Sequence, residues 1–137
     1  INQEYLAAAK KRFPGSFKQC EFLCCDILSS SFSFEPVDLI FAGLIFEYVD
    51  YNPALANISK VVNPSGSLVA VLQLPSREIP EISPSQYTSL NKLNGIFNFV
   101  PPTGFQEAAK LHQFEILESK QTILKSGKSF QEMVFQK

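Results

Sequence analysis

Two stretches are apolar at nearly every position, and they set the limits on the fold. "VDLIFA" runs from Val37 to Ala42, and "SLVAVLQL" from Ser67 to Leu74. A strand with one wet face alternates apolar and polar residues, whereas a strand covered on both faces reads as a continuous apolar run. Between the two lies a helical stripe, Leu55, Ile58, Val61 and Val62. Asn52–Pro53 opens that helix, with Asn as N-cap and Pro at the first helical position, and "NPSG" at Asn63 to Gly66 ends it. Strands alternating with helices imply a mostly parallel, helix-covered sheet.

The rest of the chain extends the pattern. Asn2 to Phe13 places Tyr5, Leu6, Ala9 and Phe13 on one helical face, and "PGS" at Pro14 to Ser16 stops it. Glu21 to Ile27, "EFLCCDI", reads as a further buried strand ending in an acid, followed by the serine-rich loop "LSSSFSFEP". Gly43 allows a sharp turn, and "LIFEYV" forms a short helical turn. After a Pro-rich passage, Ser83–Pro84 with Gln86 makes a capping box for a helix through about Asn94, closed by Gly95. Thr103 with Gln106 makes a second, for a helix to about Leu111. Phe114 to Leu124 and Phe130 to Gln136, joined by "KSGK", form a closing β-hairpin that adds an antiparallel strand at one edge. The expectation is one α/β domain over residues 1–137, with the Pro-rich passage an insertion within it.

Charge and cysteine usage narrow the function. The net charge of −1 and the lack of interleaved basic and aromatic residues argue against a nucleic-acid partner. "KKR" at Lys10 to Arg12 sits at a predicted helix C-terminus, where positive charge suits the dipole. No apolar run approaches the roughly 18 residues of a membrane span, and the longest, Leu39 to Phe46, is bounded by Asp38 and Glu47. Cys20, Cys24 and Cys25 are a poor disulfide framework, and the lone His112 is too distant to complete a zinc site, so no metal is expected. They read as buried strand cysteines of a reducing, cytoplasmic compartment.

In an open α/β sheet, ligands bind beyond the C-terminal strand ends. That rule selects Asp26–Ile27–Leu28, then Ala42 to Tyr48, then Gln73 to Arg77. The residues in these places carry a resemblance. "FLCCDIL", "VDLIFAGLIFEYVD", "ALANISKVVNPSGSLVAVLQLP" and "FQEAAKLHQFEILESKQTILKSGKSFQEMVFQK" resemble, in order, the third strand, fourth strand and turn, next helix and fifth strand, and closing hairpin of class I S-adenosylmethionine-dependent methyltransferases. The likeness covers nearly the whole chain and implies a Rossmann-like methyltransferase sheet, mostly parallel with a C-terminal antiparallel hairpin.

The resemblance implies roles residue by residue. Asp26 would accept from the adenine amine, unless it simply starts a loop. Ile27 would offer its backbone to the adenine edge. Ala42 and Gly43 would let backbone approach the methionine end of the cofactor, or merely turn the chain. Leu44 and Phe46 would pack near the adenosyl group or under the sheet. Glu47 stands where many relatives carry His; it would act as a general base, orient a cationic or hydroxylated substrate, or be a surface carboxylate. Tyr48 faces the substrate or packs, and Arg77 binds a substrate carboxylate or lies in solvent.

The family's glycine-rich loop and its ribose-binding acid are not in this sequence. The resemblance therefore implies an N-terminally incomplete domain, the C-terminal two-thirds, lacking the first two strands. Asn2 to Phe13 would be the helix after the second strand. The strands so missing lie between "EFLCCDI" and "VDLIFA", and the unpaired edges should drive self-association or displace the third strand. The implied function is S-adenosylmethionine-dependent methyl transfer to a small-molecule or protein acceptor in the complete protein, this chain alone being inactive. The alternative is a non-catalytic binding or interaction module on the same framework. A nicotinamide-binding domain is disfavoured, since its glycine fingerprint is missing too.

Overall fold

The two continuous apolar runs pair as their composition requires. In the computed structural model, which describes residues 3–12, 20–76, 80–82, 93 and 95–137, β1 (Val37–Gly43) lies parallel to β2 (Val62–Gln73). Phe41 stands opposite Val69, and Ala42 opposite Ala70. The crossover between them is α2 (Tyr51–Val61), preceded in the chain by α1 (Gln3–Arg12). After α3 (Pro102–Leu111), β3 (Glu115–Ile123) and β4 (Ser129–Gln136) form the hairpin. The sheet order is β1-β2-β4-β3. The antiparallel strand is therefore β4, inside the sheet against β2, and not a strand at the edge. Composition explains the swap. β4 brings Met133 and Phe135 to the core, while β3 is exposed at almost every position and suits a rim.

One face of the sheet is covered. Ala42, Leu68, Ala70, Leu72, Met133 and Phe135 meet Leu55 and Ile58 of α2 and Phe105 and Ala109 of α3 in a single core. Phe105 is its hub, fully buried, with ring centroids 4.7 Å from Phe46, 5.8 Å from Tyr51 and 5.9 Å from Phe135. Among the described residues no element covers the opposite face. Phe41 is 69% exposed and, with Val69, Val71 and Val134, lines a shallow groove of about 400 Å³ that grades into Glu118, Lys120 and Glu132.

Local chemistry shifts several boundaries. α2 starts earlier than expected because Asp50, not Asn52, is its N-cap: the Asp50 carboxylate accepts from the Asn52 amide at 3.0 Å. α3 is preceded by Pro101, with no side-chain cap, so Thr103 and Gln106 lie inside the helix and form no capping box. "NPSG" already belongs to β2. Gly66 is required there: a Cβ would fall 2.8 Å from Val62 Cγ1, 2.9 Å from the Asn63 carbonyl and 3.2 Å from the Asp38 carbonyl. The Asn63 amide also donates to Asp38 at 2.8 Å, tying the starts of β1 and β2. At the far end of α2, the Lys137 ammonium donates to the carbonyls of Ser59 and Val62, satisfying orphan acceptors of the last turn.

The N-terminal region departs most from expectation. Residues 21–27 form no strand, and Cys20 and Cys24 are exposed rather than buried, with Cys25 intermediate. A strand needs a ladder partner, and among the described residues no strand lies beside this segment or along the outer edge of β1. Displacement was one of the two outcomes expected of unpaired edges. α1 likewise buries none of its residues, and its Lys10 ammonium lies 5.0 Å from the Phe22 ring centroid. Phe13, the Pro14 to Ser16 stop signal, and the Ser83 to Asn94 helix except Leu93, lie outside the described residues.

Two substitutions test this packing. Phe105→Ala should cost about 3–5 kcal/mol in urea unfolding, the penalty of emptying an aromatic core site. Gly66→Ala should cost about 1–3 kcal/mol, since backbone carbonyls cannot yield as a flexible side chain would.

Candidate functional site

The site grows from the C-terminal ends of β1 and β2. β1 stops at Gly43, and the chain reverses at Leu44, whose φ is +56°. The left-handed residue is thus Leu44 and not Gly43, a costly conformation for a leucine. Neighbouring contacts impose it. The Leu44 amide donates to the Val71 carbonyl at 3.0 Å, and Phe46, in the 3-10 turn Phe46–Tyr48, is buried against Phe105.

Beside this strand end is a cavity of about 240 Å³. Ala42, Gly43 and Ile45 form one wall and Ile58 of α2 another. Ile27, Phe32 and Phe34 close it from the loop side, with Phe32 and Phe34 edge-to-face at 5.3 Å. The structure thus brings Ile27 together with Ala42 and Gly43, from which it is separated in sequence. Leu44, 40% exposed, is adjacent but does not line it. Its apolar walls suit a flat ring. Its volume falls below the roughly 300–1,000 Å³ of complete ligand pockets, room for a single ring system rather than a whole dinucleotide-sized ligand.

Asp26 precedes this wall. It is exposed, and its Oδ1 accepts from the Leu28 amide at 2.9 Å while its carbonyl accepts from Ser29 at 3.0 Å. One carboxylate oxygen thus shapes the turn, and a carboxylate retains further acceptor positions. The turn is held to α2 by Asn57, 7% exposed, whose Nδ2 donates to the carbonyls of Ile27 at 2.8 Å and Ser29 at 3.2 Å.

Glu47 is 1% exposed, not a surface carboxylate. Its Oε1 accepts from the Gln73 amide at 2.6 Å, and its carbonyl accepts from the Asn98 amide at 2.9 Å. Oε2 is buried with no hydrogen-bond partner among the described residues. Burial pushes the carboxyl above its usual range, and the amides of Gln73 and of Glu47 itself pull it back part of the way. Tyr48 is half-buried, its ring edge-on to Phe97 at 5.7 Å, and Phe97 meets Phe99 at 5.0 Å. Burial first, and the neighbouring Glu47 charge second, raise the phenol's pKa. The Gln73 side chain continues the cluster, donating to the Glu81 carbonyl at 2.8 Å and accepting from Lys128 at 3.3 Å. Arg77 lies outside the described residues. Among the described residues no His, Cys, Asp and Glu side chains converge as a metal site would need.

Sequence reasoning missed Phe32, Phe34 and Asn57. The first two carried a signal, an apolar alternation inside a serine-rich loop. Asn57 carried a weaker one, a polar residue beside the apolar face of its helix.

The Glu47 geometry has a pH consequence. A carboxyl whose pKa is raised on folding holds its proton more tightly in the native state, so stability falls as pH rises from the unfolded value through the folded one. Glu47→Gln keeps the acceptor for Gln73 and removes the charge. The stability of wild type relative to this variant should therefore decline over a pH range that starts at the ordinary carboxyl value and extends above it. Urea titrations across that range should show it; a pH-independent difference would contradict the assignment.

The architecture has counterparts. Residues 1–70 match a family model described as a methyltransferase domain. The N-methyltransferase NodS from Bradyrhizobium japonicum WM9, in complex with S-adenosyl-l-homocysteine, superposes with a TM-score of 0.69 at 16% identity, over 99% of this chain and 63% of that one. The trans-methyltransferase CalH, in complex with the same compound, gives 0.72 at 17% identity, over 99% and 40%. The [4+2]-cyclase SpnF gives 0.69 at 14% identity, over 98% and 63%. The chain thus spans less than two thirds of each of these structures, and at such identities the likeness is one of fold. No curated protein matches the sequence. The family match takes in α1, the loop bearing Asp26, β1, α2 and β2 through Ala70, and so includes the residues that line the cavity. The chain belongs to the methyltransferase domain family, and its mixed sheet is the Rossmann-like sheet of that fold.

Proposed function

We propose that the protein methylates a small-molecule or protein acceptor using S-adenosylmethionine, with the adenine of the cofactor in the cavity at the end of β1. The observation that carries this reading is the convergence of Ile27, Ala42 and Gly43 on one apolar cavity in a methyltransferase-domain chain. The complexes of NodS and CalH with S-adenosyl-l-homocysteine support the choice of cofactor. When bound, the cofactor supplies an electrophilic methyl group. Ile27, with Phe32 and Phe34, would cover the adenine, and Asp26 would accept from its amine. Ala42, Gly43 and Leu44 would border the path toward the methyl end.

The acceptor would lie on the side of Glu47 and Tyr48. Catalysis of this kind rests on positioning, with proton removal where the nucleophile requires it. Tyr48 presents a half-buried phenol there. Glu47 offers an oxygen without a partner among the described residues and a carboxyl that burial makes more basic, so it is assigned to hold the acceptor's proton. Arg77, just beyond β2 in the chain, is assigned to an acceptor carboxylate. The net charge of −1 favours an acceptor other than nucleic acid. The outer edge of β1, unpaired among the described residues, supports self-association as a further part of the reading.

A second reading, binding without methyl transfer, is favoured by SpnF, which has the same fold and is described as a [4+2]-cyclase. Calorimetry with S-adenosylmethionine, followed by a methyl-transfer assay over amine, hydroxyl and thiol acceptors, separates the two. Binding with turnover supports methyl transfer; binding without turnover supports the second reading; no binding removes both. Ile27→Ala should weaken cofactor binding about tenfold, the loss of half-buried apolar area from one wall.

A further inference from the structure

We infer that Asn57 is a positioning residue for the adenine wall; this rests on the cofactor reading above. The wall at Ile27 belongs to a segment without regular structure, so something must set its distance from the strand end. Asn57 does this across 30 and 28 residues of chain, donating to the carbonyls of Ile27 and Ser29. Its own carbonyl oxygen accepts from the Lys60 ammonium at 2.9 Å. Both amide hydrogens and the amide oxygen are thereby used. Turning the group over would set its oxygen against two carbonyl oxygens and its NH₂ against an ammonium, so only one orientation is chemically allowed.

The placement of Asn57 connects it directly to the cavity. The next residue, Ile58, is fully buried in the core and forms the α2 wall of the same cavity. One turn of α2 therefore supplies one wall through Ile58 and fixes the facing wall through Asn57. A buried amide satisfied at three positions is rigid, because breaking any one bond leaves a polar group unpaired in a nearly dry site. The spacing between Ile27 and Ala42, the gap an adenine ring would enter, is set from the helix and not from the loop itself.

The test is the isostere Asn57→Asp in the full-length protein. The carboxylate still accepts from Lys60 but donates to neither carbonyl. Dissociation constants for S-adenosylmethionine and for adenosine should rise together by about tenfold, the worth of the two lost bonds, while the acceptor KM stays unchanged. Lys60→Met, which leaves both donations in place, should change either constant by less than about twofold. A merely structural role would lower the melting temperature and leave the affinity of the folded protein alone. Wild-type affinity in a folded Asn57→Asp protein overturns the inference and leaves the cofactor reading standing. A wild-type protein that binds neither S-adenosylmethionine nor adenosine overturns both. Should Asn57→Asp not fold, the wild-type protein decides. Saturating adenosine must then shift the Asn57 side-chain amide signals in a nitrogen–proton correlation spectrum, and unmoved signals overturn the inference.

Discussion

The parallel pairing of β1 and β2 is the constraint on which the rest depends. Parallel neighbours cannot be joined by a tight turn, so the chain must cross over, and here it crosses through α2. The crossover leaves both strands pointing their C-terminal ends the same way. It also packs Leu55 and Ile58 against Leu68, Ala70 and Leu72, so one face of the sheet is closed by the same helix that the topology demands. The candidate site gathers at those two strand ends. Gly43 ends β1 and Gln73 ends β2, and Glu47 ties the two ends together through the Gln73 amide.

That tie carries a cost that bears on function. A carboxyl at a nearly dry position is destabilising as a charge, and one backbone amide on Oε1 only partly offsets it. Leu44 adds left-handed backbone three residues before it. Two unfavourable features within four residues, at the end of a strand where α/β sheets place their ligands, are the pattern of a segment held in place by its surroundings. The buried Phe46–Phe105 contact and the Asn98 amide on the Glu47 carbonyl supply that hold.

The sequence revealed those parts that a local pattern determines. β1, β2 and α2 were legible because continuous apolar runs and a helical stripe admit few alternatives. The hairpin was legible from its glycine turn, where Gly127 has φ of +84°. Its order in the sheet was not, because nothing local says which hairpin strand faces β2; that follows from which one carries the larger core residues. The failed strand at residues 21–27 makes the same point in reverse. "EFLCCDI" has the composition of a buried strand, but composition supplies no ladder partner. At the site, the rule of strand ends pointed to Ala42 and Gly43, whereas Ile27 reaches the same cavity although the strand expected to end at it does not form. The burial of Glu47 was not, because one charged residue in a short turn looks the same in sequence whether it faces solvent or a neighbouring strand end. Asn57 was hidden because its partners are backbone carbonyls, which leave no trace in residue type.

The central claim is that this strand end holds the adenine of a methyl-donor cofactor. The most direct measurement is a crystal structure of the protein with S-adenosyl-l-homocysteine bound. The account predicts an adenine ring lying between Ile27 and Ala42 at the end of β1, with the turn at residues 26–29 still held by Asn57. An adenine found elsewhere, for instance in the groove on the opposite sheet face beside Phe41 and Val134, would contradict it.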